Sequence, residues 1–187
     1  AGRLTGTEGA KRATAYVADA FRGLDLAPAG VDGGFFQPFE FTAGVALADG
    51  NDLSVSVDGQ SKPLAVEQRW RPLAFSEPGT VETTGVTFAG YGIVAPESGD
   101  AEALNSYREL DVEGQWVLIW RGMPGELSRE RRTYLSRFAD PRYKASVAKA
   151  NGAAGVIFAP PPREDFPDEL PRLSYEASSG SANLPVL

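Results

Sequence analysis

The sequence predicts an α+β fold in which helices flank short strands and one strand–helix–strand crossover is present. Three observations carry that prediction. Residues 7–24 place apolar side chains at helical spacing. From about residue 43 the chain breaks into short extended runs bounded by glycine and proline, and residues 115–159 read strand, helix, strand.

In the first helix Thr7 is placed as the N-cap, and Ala10, Ala13, Val17, Phe21 and Leu24 recur at helical spacing. Gly23 and Pro28-Ala29-Gly30 close it. Residues 35–41, F-F-Q-P-F-E-F, then read as a strand with Phe35, Phe39 and Phe41 on one side and Pro38 at an edge or bulge. A helix and one strand cannot bury their apolar sides alone. Residues 1–42 are therefore expected to be a fragment of a neighbouring domain, and 43–187 a domain in their own right.

Leu53, Val55 and Val57 alternate with polar residues up to Asp58-Gly59, which predicts a hairpin. Residues 81–94 give a further extended run. In Gln115 to Trp120 both alternating sets are apolar, as in a strand covered on both faces, with Trp116 and Trp120 buried. Asp140 is placed to cap a helix with Pro141 at its first position, Tyr143, Val147 and Ala150 on one face, and Gly152 as its stop. Residues 154–159 form a second buried strand, and the order implies a right-handed crossover between parallel strands. Five prolines and several serines make 160–183 a long loop, and Leu184 to Leu187 start another strand.

Residues 86–97, V-T-F-A-G-Y-G-I-V-A-P-E, contain the spacing G-x-G-x-x-A of a dinucleotide-binding turn. A phosphate site there needs a helix to start near Gly92. Ile93, Val94, Pro96 and Gly99 oppose one, so the reading is a strand interrupted by a glycine bend.

Composition narrows the chemistry. The chain has 187 residues and a formal charge of −7, which argues against nucleic-acid binding through the overall field. Residues 121–149 run against that trend, with eight Lys/Arg and three Asp/Glu. There is no cysteine and no histidine. That excludes thiol nucleophiles, disulfides, Ser-His-Asp triads and zinc sites built on imidazole or thiolate. Ser146 and Lys144 stand two apart on a helix and do not face each other, so no serine–lysine dyad is expected. No run of about 18 apolar residues exists, so no membrane span is expected. The opening Ala1-Gly2-Arg3, without methionine or signal region, predicts a piece of a longer protein.

Phe88-Ala89-Gly90-Tyr91-Gly92-Ile93, Leu110 to Leu118, Tyr143-Lys144-Ala145 to Ala148, and Asn151-Gly152-Ala153-Ala154-Gly155-Val156-Ile157 together resemble the protease-associated (PA) domain. The closer resemblance is to the version inserted in secreted zinc-dependent aminopeptidases of the aminopeptidase Y and glutamate carboxypeptidase II type. Residues 2–9 and 36–39 resemble the opening helix and strand of those peptidases. The resemblance implies a β-sandwich or barrel with flanking helices. It also implies a noncatalytic module that covers an active-site cleft and governs substrate access or protein interaction. The expected partners are the peptidase domain of the same chain and a peptide or protein substrate, in a secreted, periplasmic or cell-envelope setting. The family's zinc ligands lie beyond this module, so zinc is expected in the parent domain, and no catalytic, cofactor or metal residue is assigned here. The candidate interaction surface is Arg129, Arg131, Arg132, Tyr134, Arg137 and Phe138. Its plain structural counterpart is a charged helix packing Leu127, Tyr134 and Phe138 on the domain. The rival function is a standalone carbohydrate- or ligand-binding β-module that stacks sugars on Trp70, Trp116 or Trp120.

Overall fold

The computed structural model describes residues 2–82, 85–173 and 181–187. It has two compact units, one ending at Val45 and the other running from Ala46 to Leu187.

The first unit is built on α1, Glu8–Gly23. The Thr7 hydroxyl accepts from the Ala10 N–H at 3.4 Å, and Arg22 sits in the last turn, where a cation opposes the helix dipole. The strand expected over 35–41 does not form. Residues 30–36 instead close on themselves. The Gly30 N–H donates to the Gly34 carbonyl at 2.7 Å and the Val31 N–H to the Phe36 carbonyl at 2.9 Å. A strand needs a neighbour for its backbone groups, and Pro38 removes one donor from this one. The phenylalanines pair locally, Phe21 with Phe35 and Phe39 with Phe41.

The second unit opens with the expected hairpin. Strands β1, Ser54–Val57, and β2, Gln60–Pro63, pair antiparallel with Val57 opposite Gln60. Asp58 and Gly59 both take positive φ, 50° and 75°, as a two-residue turn of that type requires.

Its centre is a parallel sheet in the order β3-β6-β7, formed by Val86–Phe88, Trp116–Trp120 and Gly155–Ala159. Val86 stands opposite Trp116, and Trp116 opposite Gly155. Leu187 extends the sheet: the Phe158 N–H donates to its carbonyl, and its own N–H donates to Val156. A separate ribbon joins β4, Val94–Ala95, to β5, Leu104–Asn105. Between β6 and β7 lie α2, Arg129–Leu135, a 3-10 turn over Ser136–Phe138, and α3, Pro141–Ala150. Strand, helix and parallel neighbour thus follow as the sequence predicts, in a mixed architecture compatible with α+β.

The main core joins Val117 and Ile119 of β6, Val156 of β7, Ala145 and Ala148 of α3, and Val186. Burying a Val or Ile side chain contributes about 1.5–3 kcal/mol. Helix α3 presents a different face from the expected one: Lys144, Ala145 and Ala148 are buried, and Ala150 is exposed. Two alanines let the helix axis approach the sheet more closely than Tyr143 would. Tyr143 instead reaches sideways, its hydroxyl donating to the Val94 carbonyl at 2.7 Å. Trp116 and Trp120 are half-buried, not buried.

Candidate functional site

Ser128 starts α2, its hydroxyl accepting from the Arg131 N–H at 3.1 Å, with Glu130 in the first turn. Leu135 is buried with Ile93 and Ala95 in a second core, against which Leu127, Tyr134 and Phe138 pack. The Phe138 ring lies between Tyr134 at 5.4 Å and Tyr143 at 5.5 Å. The Tyr134 hydroxyl donates to the Pro96 carbonyl. These two aromatics of the candidate surface therefore anchor the segment.

The four arginines divide. The Arg131 guanidinium lies 5.6 Å from the Tyr134 ring centroid and donates to the Glu102 carbonyl at 2.6 Å. Arg132 donates to the Gly125 carbonyl at 2.5 Å. The guanidinium groups of Arg129 and Arg137 are exposed, with no hydrogen bond or ion pair among the described residues. All six residues belong to one short segment, of which Arg129 and Arg137 are the free charges.

Lys144 is the residue that periodicity missed. It is 1% exposed. Its Nζ donates to the carbonyls of Gly122 at 2.6 Å and Trp120 at 3.2 Å, and lies 5.9 Å from the Tyr91 ring centroid. Burial lowers its pKa from 10.5 to about 8, and the Asp140 carboxylate opposes that shift. The signal available in the sequence was its position four residues after the capping Asp140 and beside Ala145 and Ala148, which fixes its face. Ser146 is exposed and its hydroxyl donates to Arg142, so it forms no dyad with Lys144. Tyr107 is also buried. Its hydroxyl has no partner among the described residues, and burial raises its pKa.

The glycine motif is a turn and not the head of a helix. The Gly92 N–H donates to the Ala89 carbonyl at 2.9 Å, and the chain runs on into β4. Gly90 and Gly92 take φ of 56° and 61°. A Cβ on Gly92 would come within 2.7 Å of Ile119, whereas one on Gly90 would meet nothing within 4 Å. Phe88 and Tyr91 both meet Trp120 edge-on, at 4.6 and 5.4 Å between centroids.

Histidine and cysteine are absent from the chain, and among the described residues no group of three or more Asp or Glu is placed to hold a metal ion. Among the described residues no helix is long and apolar enough to cross a membrane.

A family model described as the PA domain matches residues 77–186. No curated protein and no solved structure matches the chain.

Proposed function

Because the chain belongs to the PA (protease-associated) domain family, we propose that it is the noncatalytic module of a zinc-dependent aminopeptidase, closed as a β-sandwich or barrel. In that reading it borders the active-site cleft and governs which peptides reach it, in a secreted, periplasmic or cell-envelope protein. The single observation that carries this reading is the α2 segment. Leu135, Tyr134 and Phe138 fix it to the domain, and Arg129 and Arg137 extend from it with no partner among the described residues. Fixed, unpaired cations suit the carboxylates of a peptide. Such a rim changes encounter and selectivity more than affinity.

The test has two arms. The purified chain with added zinc is expected to hydrolyse no aminoacyl chromogenic substrate, and metal-dependent hydrolysis would overturn the noncatalytic assignment. In the parent peptidase, replacing Arg129 and Arg137 with Gln is expected to leave folding intact and to change kcat/KM for acidic peptides several-fold, with a smaller effect on neutral ones. Unchanged turnover would reduce the segment to a solvated helix.

A further inference from the structure

Residues 163–171 lie against the chain that leaves the carboxyl end of β6. In open sheets of parallel strands this edge is where ligands lodge. Arg121 follows β6, and Gly122 and Gly125 beyond it carry no side chains. The covering segment has the sequence R-E-D-F-P-D-E-L-P. The Phe166 ring lies over Gly122, where a Cβ would come within 3.3 Å of it. Arg163 crosses Gly125, where a Cβ would come within 2.6 Å of its Nη1. The Phe166 ring also has two guanidinium groups against it, Arg121 at 5.1 Å and Arg163 at 6.0 Å from its centroid.

The backbone of this segment is held in an unusual way. Arg121 donates through Nη2 to the Pro167 carbonyl and through Nη1 to the Glu169 carbonyl, both at 2.8 Å. Arg71 donates through Nη1 to the Pro171 carbonyl at 3.1 Å. Carbonyls 167, 169 and 171 are the alternate ones that an extended chain presents on one side. Guanidinium groups take the place of a neighbouring strand, and among the described residues 163–171 pair with none.

We propose that residues 163–171 are a tethered strap seated in a peptide-binding groove, and that the groove accepts an extended acidic segment of another polypeptide when the strap leaves. Three features fit that occupant. The recognition is of main-chain carbonyls, which any extended segment offers. The strap carries Glu164, Asp165, Asp168 and Glu169 against the single Arg163, so the chain whose carbonyls Arg71 and Arg121 hold is itself acidic. The strap leaves the buried Nε atoms of Arg71 and Arg121 without acceptors, and an occupant with a reachable carboxylate satisfies what the strap does not. Glu164, Asp165, Pro167, Asp168 and Glu169 are exposed, and Arg163, Phe166, Leu170 and Pro171 are only half-buried, so the strap is open to local release.

The experiment uses the 187-residue chain and a fluorescein-labelled peptide of sequence REDFPDELP, read by fluorescence anisotropy at low salt. The wild-type chain is expected to bind weakly, because its own strap competes. Phe166→Ala is expected to bind at least ten-fold more tightly, and adding Arg121→Met to remove that gain. Pro167→Gly with Pro171→Gly loosens the strap without touching the Phe166 contact, and is expected to raise affinity as well. A peptide with all four acids replaced by their amides should bind at least ten-fold more weakly. No gain in either release variant, with circular dichroism showing both folded, overturns the proposal, as does a gain that survives Arg121→Met. Equal binding of the amide peptide overturns the acidic class of partner. Binding is measured without a peptidase, so failure here leaves the proposed role beside the catalytic cleft standing, and failure of that role leaves the groove standing.

Discussion

Lys144→Met isolates the cost of one buried charge. In the unfolded chain the amine titrates near 10.5 and in the folded chain near 8. Between those values the unfolded state binds more protons, so stability must rise with pH across that window. The destabilisation is fully present below pH 8 and gone above pH 10.5. At 1.36 kcal/mol per unit, the whole interval amounts to about 3 kcal/mol. The variant has no amine to titrate and keeps a side chain of similar length. It also strips the Gly122 and Trp120 carbonyls of their donor, which costs about 1–3 kcal/mol per buried acceptor left unpaired and offsets the relief near neutral pH. The decisive quantity is therefore the pH dependence of the difference between the two proteins, not its value at one pH. Urea unfolding read by tryptophan emission suits the measurement, because Trp70, Trp116 and Trp120 all lie in the second unit. From pH 7 to pH 10 the wild-type chain is expected to gain about 2–3 kcal/mol on Lys144→Met. Parallel curves, or a wild type that loses ground as pH rises, would refute the assignment of a charged, desolvated amine at this site.

Tyr107 acts in the opposite direction at higher pH. Its folded pKa is raised above the ordinary 10.0, so its contribution is present below pH 10 and is lost as pH rises further. Tyr107→Phe is expected to be neutral or stabilising by about 1 kcal/mol at pH 7, since it removes a hydroxyl without a partner, and to blunt alkaline unfolding; a loss above about 2 kcal/mol at pH 7 would point to a partner for that hydroxyl. At the glycine turn, Gly90→Ala is expected to cost about 1–2 kcal/mol for its left-handed conformation alone. Gly92→Ala adds overpacking against Ile119 and should cost about 2–5 kcal/mol, measured by the same urea titration; equal costs at the two positions would remove the steric account.

What was legible in the sequence follows how local the determining physics is. Caps at Thr7 and Asp140 and the Asp58-Gly59 turn satisfy their own backbone groups within a few residues, and all three form as read. The parallel pairing of β6 with β7 was legible because a buried strand, a capped helix and a second buried strand leave little other arrangement. Residues 35–41 misled because alternation reports only that one side is apolar. Whether a strand forms depends on a neighbour that the pattern does not name. The face of α3 misled for a related reason: large apolar residues mark where burial is favourable, while alanines mark where close approach is possible, and here approach decided. Lys144 was hidden by its charge. Nothing local says that two carbonyls and a tyrosine ring will meet its amine.

The same distinction explains the candidate site. Residues 121–149 carry an excess of positive charge, but charge counts do not separate a cation that serves the fold from one that faces outward. Arg121 grips the strap, Arg131 and Arg132 close loops through carbonyls, and Lys144 supports the chain leaving β6. Each is spent on a backbone acceptor. Removing Arg131, Arg132 or Lys144 is expected to loosen a loop before it alters recognition, because a lost donor leaves a carbonyl unpaired. Arg129 and Arg137 have no such duty among the described residues, so a change there acts through the field at the surface and must weaken as salt rises. Salt dependence therefore separates the two groups: a turnover defect from Arg129 or Arg137 that persists at high ionic strength would place those residues with the loop-holding cations.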